Sequence, residues 1–196
     1  MSGPSPAGSR RTASRPPLST TASHRPPPPG APARQASSVG TLRHDVDPVS
    51  EYQRLAEEDE QAGLRLQLAG LFRHAIYFFL QAMEKQVRAK IFSIVLAGNP
   101  YFRENNRSHS VDLALEFLVE VVSIDPTVRE RIRAILDTYV VGGIRFSQLY
   151  NNVRYPFFSE RYGTFSALDV EATDAELIRQ RLTYLKTMLQ EIERIR

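Results

Sequence analysis

AIYFFLQAMEKQVRAKIFSI, residues 75–94, is the stretch whose reading decides the fold. Ile76, Leu80, Met83, Val87, Ile91 (or Lys90) and Ile94 recur at steps of three and four, which lines them along one face of a helix. Gln81, Glu84, Lys85 and Lys90 are set into that seam as a polar cluster. Outward from it, the helix extends over roughly residues 72–97 and breaks at Gly98-Asn99-Pro100. Upstream, Asp47-Pro48 marks the start of a first helix, since Asp accepts from free amides and Pro fits the first turn. Leu55, Ala62, Leu66 and Ala69 form its apolar stripe, and Gly70 ends it.

Downstream, residues 101–108 read as a polar loop. A third helix starts near Ser108 or Ser110 and carries Val111, Leu115, Leu118, Val119 and Val122. Asp125-Pro126 repeats the first start signal and opens a fourth helix with Val128, Ile132, Ile135, Leu136 and Tyr139. Gly142-Gly143 interrupts or bends it; the pattern resumes with Ile144, Leu149 and Val153 and stops before Pro156. Residues 157–172 read as an irregular, aromatic-bearing connection. The last helix opens on a capping box, Thr173 with Glu176. It continues through Leu177, Leu182 (or Arg181), Leu185, Leu189 (or Met188), Ile192 and Ile195. No segment alternates with period two, so no sheet is expected. The expected fold is all-α: an up-and-down antiparallel bundle of about five helices over residues 47–196.

The first 46 residues have a different composition. Nine of the 13 prolines lie in residues 1–40, with five arginines and no acid. Such a segment buries too little apolar area to offset its ordering entropy, so a disordered tail is expected. Removing those arginines leaves 20 basic against 22 acidic residues, net −2, for the rest. The overall charge of +3 is therefore a property of the tail. The absence of cysteine excludes disulfides and thiolate chemistry and fits a reducing, cytoplasmic location. No apolar run reaches the roughly 18 residues that span a bilayer. No HExxH, glycine-rich phosphate loop or serine nucleophile motif is present, and His44 and His74 have no metal-ligand spacing; no metal or cofactor is expected.

Three motifs carry a family resemblance. Ala75, Phe78, Gln81, Ala82, Glu84, Lys85 and Ala89 resemble the second helix of HEPN domains, in which QA-x-EK is followed by KA; here that pair is Arg88-Ala89. Arg107-Ser108-His109-Ser110-Val111 resembles the R-[ST]-H-[DS]-L of the third helix, and Arg154-Tyr155-Pro156 the RYP that closes the fourth. Together they span about residues 51–195. The resemblance implies a helical bundle that dimerises and binds RNA, nucleotide or a partner protein, in some members a small nucleotidyltransferase. Nuclease members, some of them toxins, cut RNA without a metal, using an arginine and a histidine four to six residues apart. The 2′-hydroxyl attacks the adjacent phosphate, with histidine moving the proton and arginine stabilising the developing charge.

Five residues separate Arg103 from His109, so these two are the catalytic pair under the nuclease reading. Arg107 and Arg154 are the phosphate- or nucleotide-binding cations. Glu104, beside Arg103, repels phosphate. The bland alternative is that His109 and Arg107 tie a helix start to the polar cluster of the second helix, with Gln81, Glu84, Lys85 and Tyr155 as structural polar groups. A third reading is a helical interaction module without chemistry of its own.

Overall fold

A computed structural model describes residues 40–41, 43–105 and 109–195, with side chains through Ile192. Residues 1–39 of the proposed tail, and Arg107, lie outside the described residues. Arg43–Arg196 forms one compact unit. The element order is α1 (Pro48–Leu68), α2 (Phe72–Ile94), α3 (Pro100–Asn105), α4 (Val111–Val122), α5 (Pro126–Leu136), a π-helical turn (Asp137–Val141), α6 (Phe146–Asn152), β1 (Phe157–Ser159), β2 (Thr164–Ser166) and α7 (Ala172–Ile195). The fold is all-α apart from this one small hairpin. None of the described helices is long and apolar enough to cross a membrane.

Both Asp-Pro starts behave as expected. The Asp47 carboxylate accepts from the Val49 and Ser50 amides, and that of Asp125 accepts from Thr127 at 2.8 Å. Gly70 ends α1 at φ +73°, with Gly70 N–H donating to Gln67 O and Leu71 N–H to Leu66 O. That pair of bonds is the Schellman arrangement, and it turns the chain straight into α2.

Helix α2 is the central pillar. Its predicted seam is buried from Ile76 to Ile91 and half-buried at Ile94, and Ala75, Phe79, Ala82 and Ala89 are buried on other sides. α1 packs along it more extensively than any other element, with α7 and α4 next. The buried stripe of α1 is Ala56 and Gly63, one residue on from the expected Leu55–Ala62 line; Ala69 is exposed. The reason is size. A Cβ on Gly63 would sit 2.6 Å from the Phe79 ring, so the helices approach where α1 is smallest.

Four further expectations are corrected. Pro100–Asn105 is a short helix, not a loop. The fourth helix widens into the π turn, whose Gly142 N–H donates to Asp137 O at 2.7 Å; it buries Val140 and leaves Tyr139 exposed. α7 begins at Ala172, ahead of Thr173; Asp174 reaches back to the Glu171 amide at 2.8 Å, and Ile178 takes the core position expected of Leu177. The connection after Pro156 contains an antiparallel hairpin pairing Phe157 with Ser166, Phe158 with Phe165 and Ser159 with Thr164. Three-residue strands are too short to display a period of two.

Candidate functional site

The polar cluster of α2 divides between two neighbours. Lys85 forms an ion pair with Asp59 of α1 and also donates to Gln81. Glu84, about 100° further round the helix, is buried and faces the other way. Its Oε1 accepts from Arg88 Nε at 2.9 Å, one helical turn on, and lies 3.2 Å from His109 Nδ1. Gln81 and Lys85 therefore belong to the α1 contact, and of the three only Glu84 is set against His109.

His109 stands just before the N-cap Ser110 of α4, and its side chain is 82% exposed. In the tautomer in which Glu84 accepts this bond, the hydrogen sits on His109 Nδ1. In the neutral ring this leaves the Nε2 lone pair available at the surface.

Asp112, in the first turn of α4, brings a second segment to this place. Its carboxylate accepts from the amides of Phe146 at 3.3 Å and Ser147 at 2.7 Å. It thereby caps α6, whose own N-cap residue Arg145 supplies no side-chain bond. The far end of α6 then carries Tyr150 and, just beyond, Arg154 and Tyr155. The Tyr150 ring stacks on Tyr77 of α2, with centroids 5.5 Å apart. The Arg154 guanidinium lies over three rings, 5.7 Å from Tyr77, 5.0 Å from Tyr150 and 4.8 Å from Tyr155, and donates to the Tyr155 hydroxyl at 2.8 Å. Arg154 and Tyr155 remain exposed. Burial raises the pKa of the Tyr150 hydroxyl; Tyr77 and Glu84 push the same way, and Arg154 opposes them. Tyr77 and Glu84 lie seven residues apart on α2, so the Arg154 and His109 groups are set against one face of that helix, two turns apart.

Arg103 is placed differently. It lies exposed on α3, and its side chain forms no hydrogen bond or ion pair with the described residues. α3 borders an open groove of about 630 Å³ lined by Glu104, Glu116 and Glu120 with Arg129 and Arg133. Three carboxylates there disfavour a phosphate. Of the expected residues, then, His109 with Glu84 and Arg154 with Tyr155 are set against one face of α2, two turns apart, while Gln81 and Lys85 belong to another. Tyr77, Arg88, Asp112 and Tyr150 were not anticipated. Tyr77 and Arg88 have a readable signal, since they share a helical face with Glu84 at seven and four residues.

No family model, curated protein or solved structure matches the chain. The HEPN resemblance therefore rests on the three sequence motifs. Among the described residues no group of His, Asp and Glu could hold a metal ion. An arginine stacked on tyrosines suits an aromatic base together with a phosphate.

Proposed function

We propose that this is a HEPN-type protein of the cytoplasm that binds a nucleotide or RNA on the surface formed by His109, Tyr150, Arg154 and Tyr155. The observation that carries this reading is the solvent-exposed Arg154 guanidinium held over three tyrosine rings. The stack fixes the cation's plane, leaves its outer edge free for phosphate oxygens, and sets rings beside it on which a base can stack. Arg107, two residues before His109, adds a second cation under the family reading. A homodimer, and a small nucleotidyltransferase as partner, belong to the same proposal. The test is titration of the protein with labelled RNA and with nucleoside monophosphates, read by fluorescence anisotropy and competition. Arg154→Ala is expected to weaken binding about tenfold or more. Equal affinity in wild type and variant would reject the site, and no binding by either would leave a structural interaction module as the better description.

A second reading is favoured by a different observation, the exposed Nε2 of a histidine oriented by a buried carboxylate. In metal-independent RNA cleavage His109 would take the 2′-hydroxyl proton as that oxygen attacks the adjacent phosphorus and the 5′-oxygen leaves. Arg103 would serve as the charge-stabilising partner from the facing subunit of a dimer. An RNA cleavage assay in EDTA decides the matter: wild-type activity lost in His109→Ala supports the enzyme, and equal background in both removes it.

A further inference from the structure

The β1–β2 hairpin is the most exposed aromatic feature among the described residues, and neither strand packs extensively on any helix. Phe158 and Phe165 face each other across the strands, ring centroids 5.6 Å apart and nearly perpendicular, yet they are 49% and 71% exposed. Tyr162 at the tip is 68% exposed, with the Arg161 guanidinium 5.5 Å over its ring. Ser159 O accepts from the Tyr162 and Gly163 amides, and Gly163 takes φ +61°, closing a tight four-residue loop. A two-stranded hairpin is marginal in water on its own. Three solvent-facing rings on one are more than its stability requires.

The surroundings say what those rings would meet. Residues 144–166 hold three arginines, Arg145, Arg154 and Arg161, against one acid, Glu160, whereas residues 41–196 as a whole are net negative. Cations interleaved with exposed rings suit a strand of stacked bases joined by phosphates. The tip Glu160-Arg161 is charged, which opposes insertion into a bilayer. Three-residue strands offer little edge for a second copy to extend. Only Pro156 separates Tyr155 from β1, so Phe158 lies within ~14 Å of chain from Arg154, about the reach of a few nucleotides.

We infer that the hairpin is a base-stacking platform that continues the Arg154 surface, so that the ligand is a single-stranded polynucleotide of several residues and not a lone nucleotide. This rests on the Arg154 surface being nucleotide-binding, and the test separates the two. Anisotropy titrations of the full chain with labelled oligouridylate and oligodeoxyuridylate, and competition by uridine monophosphate, are compared for wild type, Arg154→Ala, Phe158→Ala/Phe165→Ala and Phe158→Leu/Phe165→Leu. Both hairpin variants are expected to weaken oligomer binding about tenfold or more while leaving the monophosphate affinity and thermal midpoint unchanged. Arg154→Ala should weaken both ligands. The leucine pair keeps bulk and removes the ring faces, so its loss identifies stacking; the tighter of the two oligomers identifies the sugar. Oligomer affinity unchanged in the hairpin variants, or wild type binding the oligomer no tighter than the monophosphate, overturns the inference and leaves the Arg154 site standing. Absence of all binding by wild type overturns both. If the hairpin variants instead lose self-association or binding to anionic phospholipid vesicles with oligomer affinity intact, the platform reading is likewise overturned.

Discussion

Toward α1, helix α2 meets small residues, Ala56 and Gly63, and its polar groups Gln81 and Lys85 close on Asp59 within a single pair of helices. Toward α4 and α6, the same helix presents Tyr77, Glu84 and Arg88, whose neighbours His109, Tyr150 and Arg154 come from segments 25 or more residues away. The first flank is close-packed and involves two helices joined by a short turn. The second buries an ion pair, which adds little net stability, and leaves a histidine and an arginine at the surface. A fold that needed only stability would make the second flank like the first. The difference is why the second flank is read as the functional one.

Four substitutions and one pH measurement sharpen this contrast. Glu84→Ala removes the carboxylate from the buried Arg88 guanidinium and should have the largest effect, about 3–5 kcal/mol in urea denaturation. A loss below about 1 kcal/mol would put the two flanks on equal terms. Gly63→Ala drives a methyl against the buried Phe79 ring and should cost about 1–3 kcal/mol; Phe79→Leu added to it should recover part of that in a double-mutant cycle. Asp112→Ala uncaps α6 for roughly 1 kcal/mol. Unlike Gly63→Ala, it should also reduce nucleotide or RNA affinity, because it frees the segment that holds Arg154. Unchanged affinity would show that α6 holds its place without the cap. Asp59→Asn breaks a half-screened pair, 17% and 20% exposed on the two sides, and should lower stability by less than about 1 kcal/mol.

The smallest effect is expected from acid. The Glu176 carboxyl is held down to about 2 from an ordinary 4.5, chiefly by its hydrogen bond from Arg179. Its folded pKa lies below its unfolded one, so its contribution is complete above about pH 4.5 and is lost as pH falls toward 2. Denaturation midpoints followed over that range in wild type and Glu176→Gln should converge at the acid end. A gap that stays constant with pH would mean the pair contributes nothing through charge.

Where a single residue's own chemistry sets the structure, the sequence was legible. Asp47 and Asp125 cap, Gly70 terminates, and the Ile76–Ile91 seam is buried, because each of these follows from contacts within a few positions. The misreadings have a common origin in contacts made over distance. Gly63 counts for nothing in an apolar pattern, yet it fixes the α1 approach because a large ring stands opposite. Asp112 looks like a first-turn acid serving its own helix, and it serves α6 instead. Glu84 was recognisable as an odd residue in a core seam, but its divergence from Lys85 depends on where α1 and α4 lie. The hairpin escaped because strands of three residues have no period to detect, and its Phe158–Phe165 pairing arises only after the turn at Gly163 closes.

The Asp112 bridge gives the chain a natural clock. α1 and α2 are joined by a three-residue turn and can pair outward from it, whereas the contact from Asp112 to Phe146 closes a loop 34 residues apart in sequence. Loop-closure entropy makes that contact a late one to form and an early one to open. The Phe146 and Ser147 amides should therefore exchange with deuterium sooner than those in the middle of α2, and their protection would report the moment at which His109 and Arg154 come to lie against one face of α2.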